Sequence, residues 1–237
     1  MVPNNYGEEG WYQLRKYTFT DELAKIWFWT MDPSDLQRLP VEGWIAFLAG
    51  KDPSYPEVVL RRELEFIREK VERMRSDPTS PESRLADWAL RHNPVSTRAM
   101  VELTCGGHRI DRGVDRLFGL LHVRVRYFDP ERQRAGLPPD VAALVTEMDS
   151  DSVGLEIVNV NQVEARTVMV QGGAYGEHQL THVTVGGRSK KVESRFFTLR
   201  LGPGAGAKLV IQDDRYANQP TMSMPWFGDV SSASWVE

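Results

Sequence analysis

The 237-residue chain carries a single cysteine, Cys105. One thiol excludes an intrachain disulfide, so no covalent framework of the kind found in small secreted domains is available. Long apolar runs are also missing. No stretch reaches the ~18–20 residues that a membrane-spanning helix needs. A basic excess is absent too: Lys and Arg total 29 against 33 Asp and Glu, a net charge of −4. Nucleic-acid proteins usually show the opposite balance. The pairs Arg61-Arg62 and Lys190-Lys191 are short and diluted by acids. There is no internal repeat and no low-complexity tract. Gly106-Gly107 is too short for a phosphate loop, and no glycine-rich dinucleotide fingerprint follows a strand. The opening residues, Met1 to Glu9, have neither a basic nor an apolar signal segment. A cytoplasmic protein without a cofactor is therefore expected, with the reservation that a partner chain could carry a signal.

Aromatic residues, in contrast, are plentiful. Seven Trp and seven Tyr occur, many of them early: Trp11, Tyr12, Tyr17, Trp27, Trp29 and Trp44. Such side chains bury large areas and are enriched at interfaces. They form either a local core or a surface for another chain. The spacing predicts a helix over 20–30 with Thr20 as N-cap, and a second over 40–49 closed by Gly50. The clearest helix runs from Tyr55 to Ser76. Leu60, Leu64, Ile67, Val71 and Met74 form an apolar stripe, with charged residues off it. Ser54 and Glu57 fit a capping box, and Pro56 suits the first turn. Two further helices are expected over 82–90, after Ser80-Pro81, and over 95–104, with Asn93 as N-cap and Gly106 near C′.

At Gly106-Gly107 the period changes from helical spacing to alternation. Leu121, Val123, Val125 and Tyr127 alternate with His122, Arg124 and Arg126. Short runs follow at 141–147, 153–160, 167–171, 178–185, 196–201 and 208–211, separated by turn residues such as Gly186-Gly187. The expected fold class is α+β: an N-terminal helical segment of about five helices over 1–107, then an antiparallel β-sandwich over 108–227. Residues 228–237 read as a flexible tail, and the stretch 216–226, rich in anchors, is expected to pack across the body.

The run Leu155-Glu-Ile-Val-Asn-Val-Asn-Gln-Val-Glu-Ala-Arg-Thr-Val-Met-Val170, with Phe197-Thr-Leu-Arg-Leu-Gly-Pro-Gly-Ala-Gly-Ala-Lys-Leu-Val-Ile211, resembles the terminal β-sandwich of many glycoside hydrolases and related carbohydrate-active enzymes. There, a strand ending in Val-Asn precedes a second strand, and a closing hairpin carries a Pro-Gly turn. The helix openings Tyr55-Pro56-Glu57 and Asn93-Pro94 resemble the last helices of an (α/α) toroid. Together these segments, over about 40–226, are similar to the C-terminal region of large bacterial proteins that pair a helical toroid with a β domain. The resemblance implies fold and carries no catalytic residue with it. A toroid needs roughly twice the helices seen here, which implies that the helical half packs on another polypeptide or stands as a self-contained relative.

Several residues are candidates for chemistry. Cys105, His108 and Asp111 bring a thiol, an imidazole and a carboxylate to the helix-to-strand junction, and a Cys–His pair can form a nucleophile; a lone cysteine also serves as a small apolar residue. Glu42 beside Trp44, and Asp87 beside Trp88, pair a carboxylate with an aromatic, as sugar sites do. A glycosidase needs two carboxylates about 5–10 Å apart. Catalytic candidates are thus Glu42, Asp87, Cys105, His108 and Asp111, with Trp44 and Trp88 as substrate-binding candidates. His178 and His182 have the most metal-like spacing. In a straight strand at ~3.3 Å per residue they lie roughly 13 Å apart, too far to share one ion. Ordinary surface or turn histidines are expected, and no metal. Arg124 and Arg126 with His122 fit either an anion site or a solvated strand face.

These features lead to a subunit or C-terminal region of a larger carbohydrate-processing protein, whose β domain buttresses a helical catalytic domain. The alternative is a non-enzymatic binding or assembly module that docks through its aromatic N-terminal segment. The expected partner is another polypeptide, a helical subunit, or a second copy; a carbohydrate is the expected ligand, and neither nucleic acid nor a membrane is.

Overall fold

The computed structural model describes residues 2–3, 12–13, 20–84, 93–107, 121–227 and 233–236. The chain divides into two compact units, Met1–Glu42 and Gly43–Glu237.

In the first unit, β1 (Val2–Pro3) pairs antiparallel with β2 (Tyr12–Gln13). Helix α1 spans Thr20–Thr30, as the spacing predicts. Trp27 and Phe28 are buried and meet edge-on, ring centroids 4.8 Å apart. A one-turn helix that the apolar pattern does not announce, α2 (Pro33–Leu36), follows. It is specified by capping chemistry: the Asp32 carboxylate accepts from Ser34 N–H at 2.8 Å, and Pro33 fills the first position.

Among the described residues, the second unit holds three α-helices and two five-stranded sheets. Helices α3 (Gly43–Leu48), α4 (Tyr55–Ser76) and α5 (Arg98–Cys105) precede the sheets. The bounds of α4 match the stripe, but its start differs from a capping box. Ser54 has a helical backbone, and its hydroxyl donates to Asp52 at 2.7 Å, while Glu57 pairs with Arg61 at 2.6 Å. The expected helix over 82–90 is, in its described part, a 3-10 turn at Pro81–Ser83; residues 85–92 lie outside the described residues. Asn93 does not cap α5. Its side chain accepts from Val95 N–H at 2.9 Å, closing a local turn, and the helix starts at Arg98 after Thr97. Gly106 ends it with φ +62°, and Gly106 and Gly107 donate to the Glu102 and Val101 carbonyls, both at 3.1 Å.

The first sheet has the order β12-β10-β7-β3-β4 and the second β5-β6-β11-β8-β9. Their strands are β3 (Val125–Asp129), β4 (Arg134–Ala135), β5 (Val141–Met148), β6 (Ser152–Asn159), β7 (Arg166–Gly172), β8 (Gln179–Val185), β9 (Arg188–Ser194), β10 (Phe196–Leu201), β11 (Gly206–Asp214) and β12 (Ala233–Val236). Neighbours are antiparallel, except that β12 runs parallel to β10. The α+β class with a β-sandwich is thus the observed one. Alternation sets the core. Along β11, Ala207, Leu209, Ile211 and Asp213 are buried and their neighbours exposed. Val168, Val170, Phe197 and Leu199 line the first sheet; Val145, Leu155, Leu180 and Val183 line the second. The stretch before the tail packs across the body as expected: Met224 and Trp226 cover Phe128, Met169 and Phe196, with Trp226 edge-on to Phe128 at 5.9 Å.

The period switch lies inside this unit and is tightly packed. A Cβ on Gly107 would sit 2.7 Å from Val101 and 2.8 Å from Val123. One on Gly106 would sit 2.8 Å from the Met148 sulfur. Only glycine lets the end of α5 approach the sheet this closely.

Candidate functional site

Asp87, Trp88, His108 and Asp111 lie outside the described residues. Of the remaining candidates, Glu42 belongs to the first unit and Trp44 and Cys105 to the second. Glu42 is exposed. Trp44 is buried, stacked on Phe47 with centroids 5.4 Å apart and 6.3 Å from Tyr55. Its ring faces are taken up by packing, so it offers no platform for a sugar. The Tyr55 hydroxyl donates to Glu102 at 2.7 Å, and that carboxylate is itself buried. Between them these groups fix the start of α4 to α5.

Cys105 ends α5. Its neighbour Thr104 donates from Oγ1 to the Met100 carbonyl at 2.6 Å, with the Cys105 sulfur 3.4 Å away. The Thr104 carbonyl accepts from the buried Tyr127 hydroxyl at 2.6 Å. Burial pushes the Cys105 thiol up, with Thr104 and Arg126 only partly opposing it. A thiol held protonated is a poor nucleophile.

A buried polar cluster lies where the end of β11 meets the residue before β3. Arg124 is almost fully buried and contacts Asp213 at 2.7 Å. It donates further to the carbonyls of Asp149 and, at 3.2 Å, Ser152. Burial lowers the Arg124 pKa and raises that of Asp213, each opposed by the charge of the other. The guanidinium still stays protonated at neutral pH. His178 sits in the same region with no exposed surface. Its Nδ1 accepts from Tyr216 N–H at 3.1 Å, which assigns the ring proton to Nε2, and Nε2 has no partner among the described residues. Burial, then the charges of Arg124 and Arg215, bring the His178 pKa down to about 3, so it is neutral. On the outer side the Tyr216 hydroxyl meets His122 Nε2 at 2.9 Å and Arg215 at 3.1 Å.

Two expectations change here. Arg124 is neither solvated nor free to hold an anion, because Asp213 already neutralises it. His178 keeps its expected turn position, in a bend before β8, but is buried rather than at the surface, and a register shift between Leu180 and His182 separates it from His182. Asp213 is not among the residues that the sequence singles out; Glu102 stands there as one carboxylate among many, and Tyr216 as the first residue of the stretch expected to pack across the body. For Asp213 a signal existed, since it falls in phase with Ala207, Leu209 and Ile211 and so points into the core. For Glu102 and Tyr216 the partners lie 47 and 94 residues away, and no local pattern marks them.

Among the described residues no group of three His, Cys, Asp or Glu side chains is placed to hold a metal ion, and no helix is long and apolar enough to cross a membrane. Three surface concavities among the described residues of the second unit are open, the largest of the three, of about 570 Å³, along Ile67, Arg68 and Val71 of α4; the other two lie over the sheets. One of about 360 Å³ lies over Ala143, Ile157 and Ala207. Another of about 410 Å³ lies between Gly50 and Glu147. Neither gathers an opposed pair of carboxylates or a nucleophile with its base. The Tyr55–Glu102 and Arg124–Asp213 contacts tie elements of the second unit together.

Residues 40–101 match a family model described as a domain of unknown function, DUF8034. The matched segment contains α3, α4 and the start of α5. No curated protein matches the chain, and no solved structure does.

Proposed function

We propose that this chain is a non-catalytic assembly module, in which the sandwich holds helix α4 out as a docking element for another polypeptide. One observation carries this reading: across the 22 residues of α4, Val59 is the one buried side chain, although the helix bears a full apolar stripe. An apolar stripe on a globular helix faces a core. Here Leu64 is 52% exposed, so the stripe is short of a partner within the described residues. Docking through α4 stands beside docking through the aromatic N-terminal segment, where Trp27 is buried and Trp29 is 55% exposed. The second reading, a subunit of a carbohydrate-processing protein, draws support from the combination of short helices with a sandwich in which Val158-Asn159 ends β6.

The test places a photo-crosslinking residue at Leu64 in the chain expressed in its own cells, and a control at Val210 on the outer face of β11. The expected result is a discrete adduct with another polypeptide from Leu64 and none from Val210. The purified chain is also offered a panel of oligosaccharides. Turnover by the chain alone rules the proposal out.

A further inference from the structure

The stripe on α4 has a stricter spacing than a core-facing helix requires. Leu60, Leu64, Ile67, Val71 and Met74 alternate steps of four and three, the a/d period of a coiled coil. Leu60, Leu64 and Met74 are 39%, 52% and 40% exposed, while Ile67 and Val71 are half-buried. One edge of the stripe is lined by Arg61, Arg68 and Arg75, seven residues apart and so about 10 Å from one another along the axis. The other edge carries Glu63 and Lys70. Glu63 is already engaged with the Ser96 hydroxyl, and the Lys70 ammonium lies 5.3 Å from the Phe66 ring. The arginine edge is open to solvent. Arg61 and Arg75 are 72% and 74% exposed and, among the described residues, pair with Glu57 and Glu72 of their own helix. Such exposed pairs exchange readily for others.

From this we infer that α4 docks an amphipathic helix of a different polypeptide, with a heptad apolar seam and carboxylates repeated every seven residues opposite Arg61, Arg68 and Arg75. This rests on the assembly reading and names the partner's chemistry. Charge selects it over a second copy. An antiparallel self-pair sets Arg68 against Arg68 and Arg61 against Arg75. A parallel self-pair gains Glu63 against Arg68 but loses as much at Lys70 against Arg75. An acidic helix meets all three arginines without a like-charge contact on that edge. The whole molecule is net negative, so this arginine edge is a local reversal of sign that favours such a helix over the rest of the surface.

The experiment uses the full chain and two synthetic four-heptad peptides with Leu and Ile on the seam. One carries Glu at every flanking position and the other Lys, so that neither pairs with itself. Fluorescence anisotropy and peptide helicity are followed at low and high salt. The Glu peptide is expected to gain helicity on binding and to bind about tenfold more tightly than the Lys peptide, an advantage that salt erodes. The Arg61→Glu, Arg68→Glu, Arg75→Glu variant should invert the preference, and Leu64→Asp should abolish binding of both, with the circular dichroism and melting temperature of each variant near the parent's. Equal affinity for the two peptides, no binding of either, or a stable dimer of the chain that excludes both overturns the inference. A Leu64 crosslink to another polypeptide in that case leaves the assembly reading standing, whereas unaided substrate turnover defeats that reading itself.

Discussion

At the scale of single residues, Arg124 and Asp213 show how this chain uses charge. Each alone is costly to bury, and each is tolerated because the other is 2.7 Å away. Asp213→Ala leaves a buried guanidinium that keeps only carbonyl partners, and an expected loss of about 3–5 kcal/mol follows. Replacing both, with Arg124→Met and Asp213→Leu, should recover most of that loss, since the apolar pair needs no compensation. Urea unfolding of the two variants separates these outcomes. Cys105 makes a contrasting point: it is only partly buried at the end of α5, yet desolvation still pushes its thiol up.

At the scale of elements, turn chemistry decides where strands stop. The Asn159 side chain donates to the carbonyls of Glu164, Gly202 and Leu201 at 2.8, 3.0 and 3.4 Å, and its Oδ1 accepts from Asn161 N–H at 3.0 Å. It therefore joins the β6–β7 turn to the β10–β11 turn. Asn159→Ala should cost about 2–3 kcal/mol. The isosteric Asn159→Asp should cost at least as much, because a carboxylate cannot donate to those carbonyls; thermal unfolding of both variants checks this. Elements of this kind were legible to differing degrees. Helices α1 and α4 follow from apolar spacing alone, and most strands from alternation. The edge strand β9 did not, because Arg188-Ser-Lys-Lys191 has no apolar phase, although its backbone pairs with β8. Nor did α2, which rests on one cap. The candidate site was less legible still. Proximity in sequence suggested Glu42 with Trp44, whereas the structure spends Trp44 on packing and assembles its polar cluster from residues as far apart as Arg124, His178 and Asp213.

At the scale of the whole molecule, His178 couples stability to pH. Its folded pKa, about 3, lies below the ordinary value of 6.5, so the folded state favours the neutral ring. The stabilisation is therefore complete above pH 6.5 and is lost as pH falls toward 3. The slope approaches 1.36 kcal/mol per pH unit for one proton. Asp213 acts in the opposite sense, since its raised pKa favours folding most at low pH. The difference between the parent and His178→Asn isolates the histidine, as the amide oxygen can still accept from Tyr216 N–H. Chemical denaturation from pH 7 to pH 4 should show the parent losing about 3 kcal/mol more than the variant. A different consequence follows from the junction at Gly106-Gly107. Where the periodicity of the chain changes, a gene engineer would be tempted to cut, yet the absent side chains there seat Val101, Val123 and Met148 against one another's layers. Helices α3 to α5 and the sheets are consequently one heritable cassette. A fusion or shuffling breakpoint belongs between Glu42 and Gly43, where the compact units divide, and a breakpoint at the glycines would deliver two halves that each expose a ready-made wound.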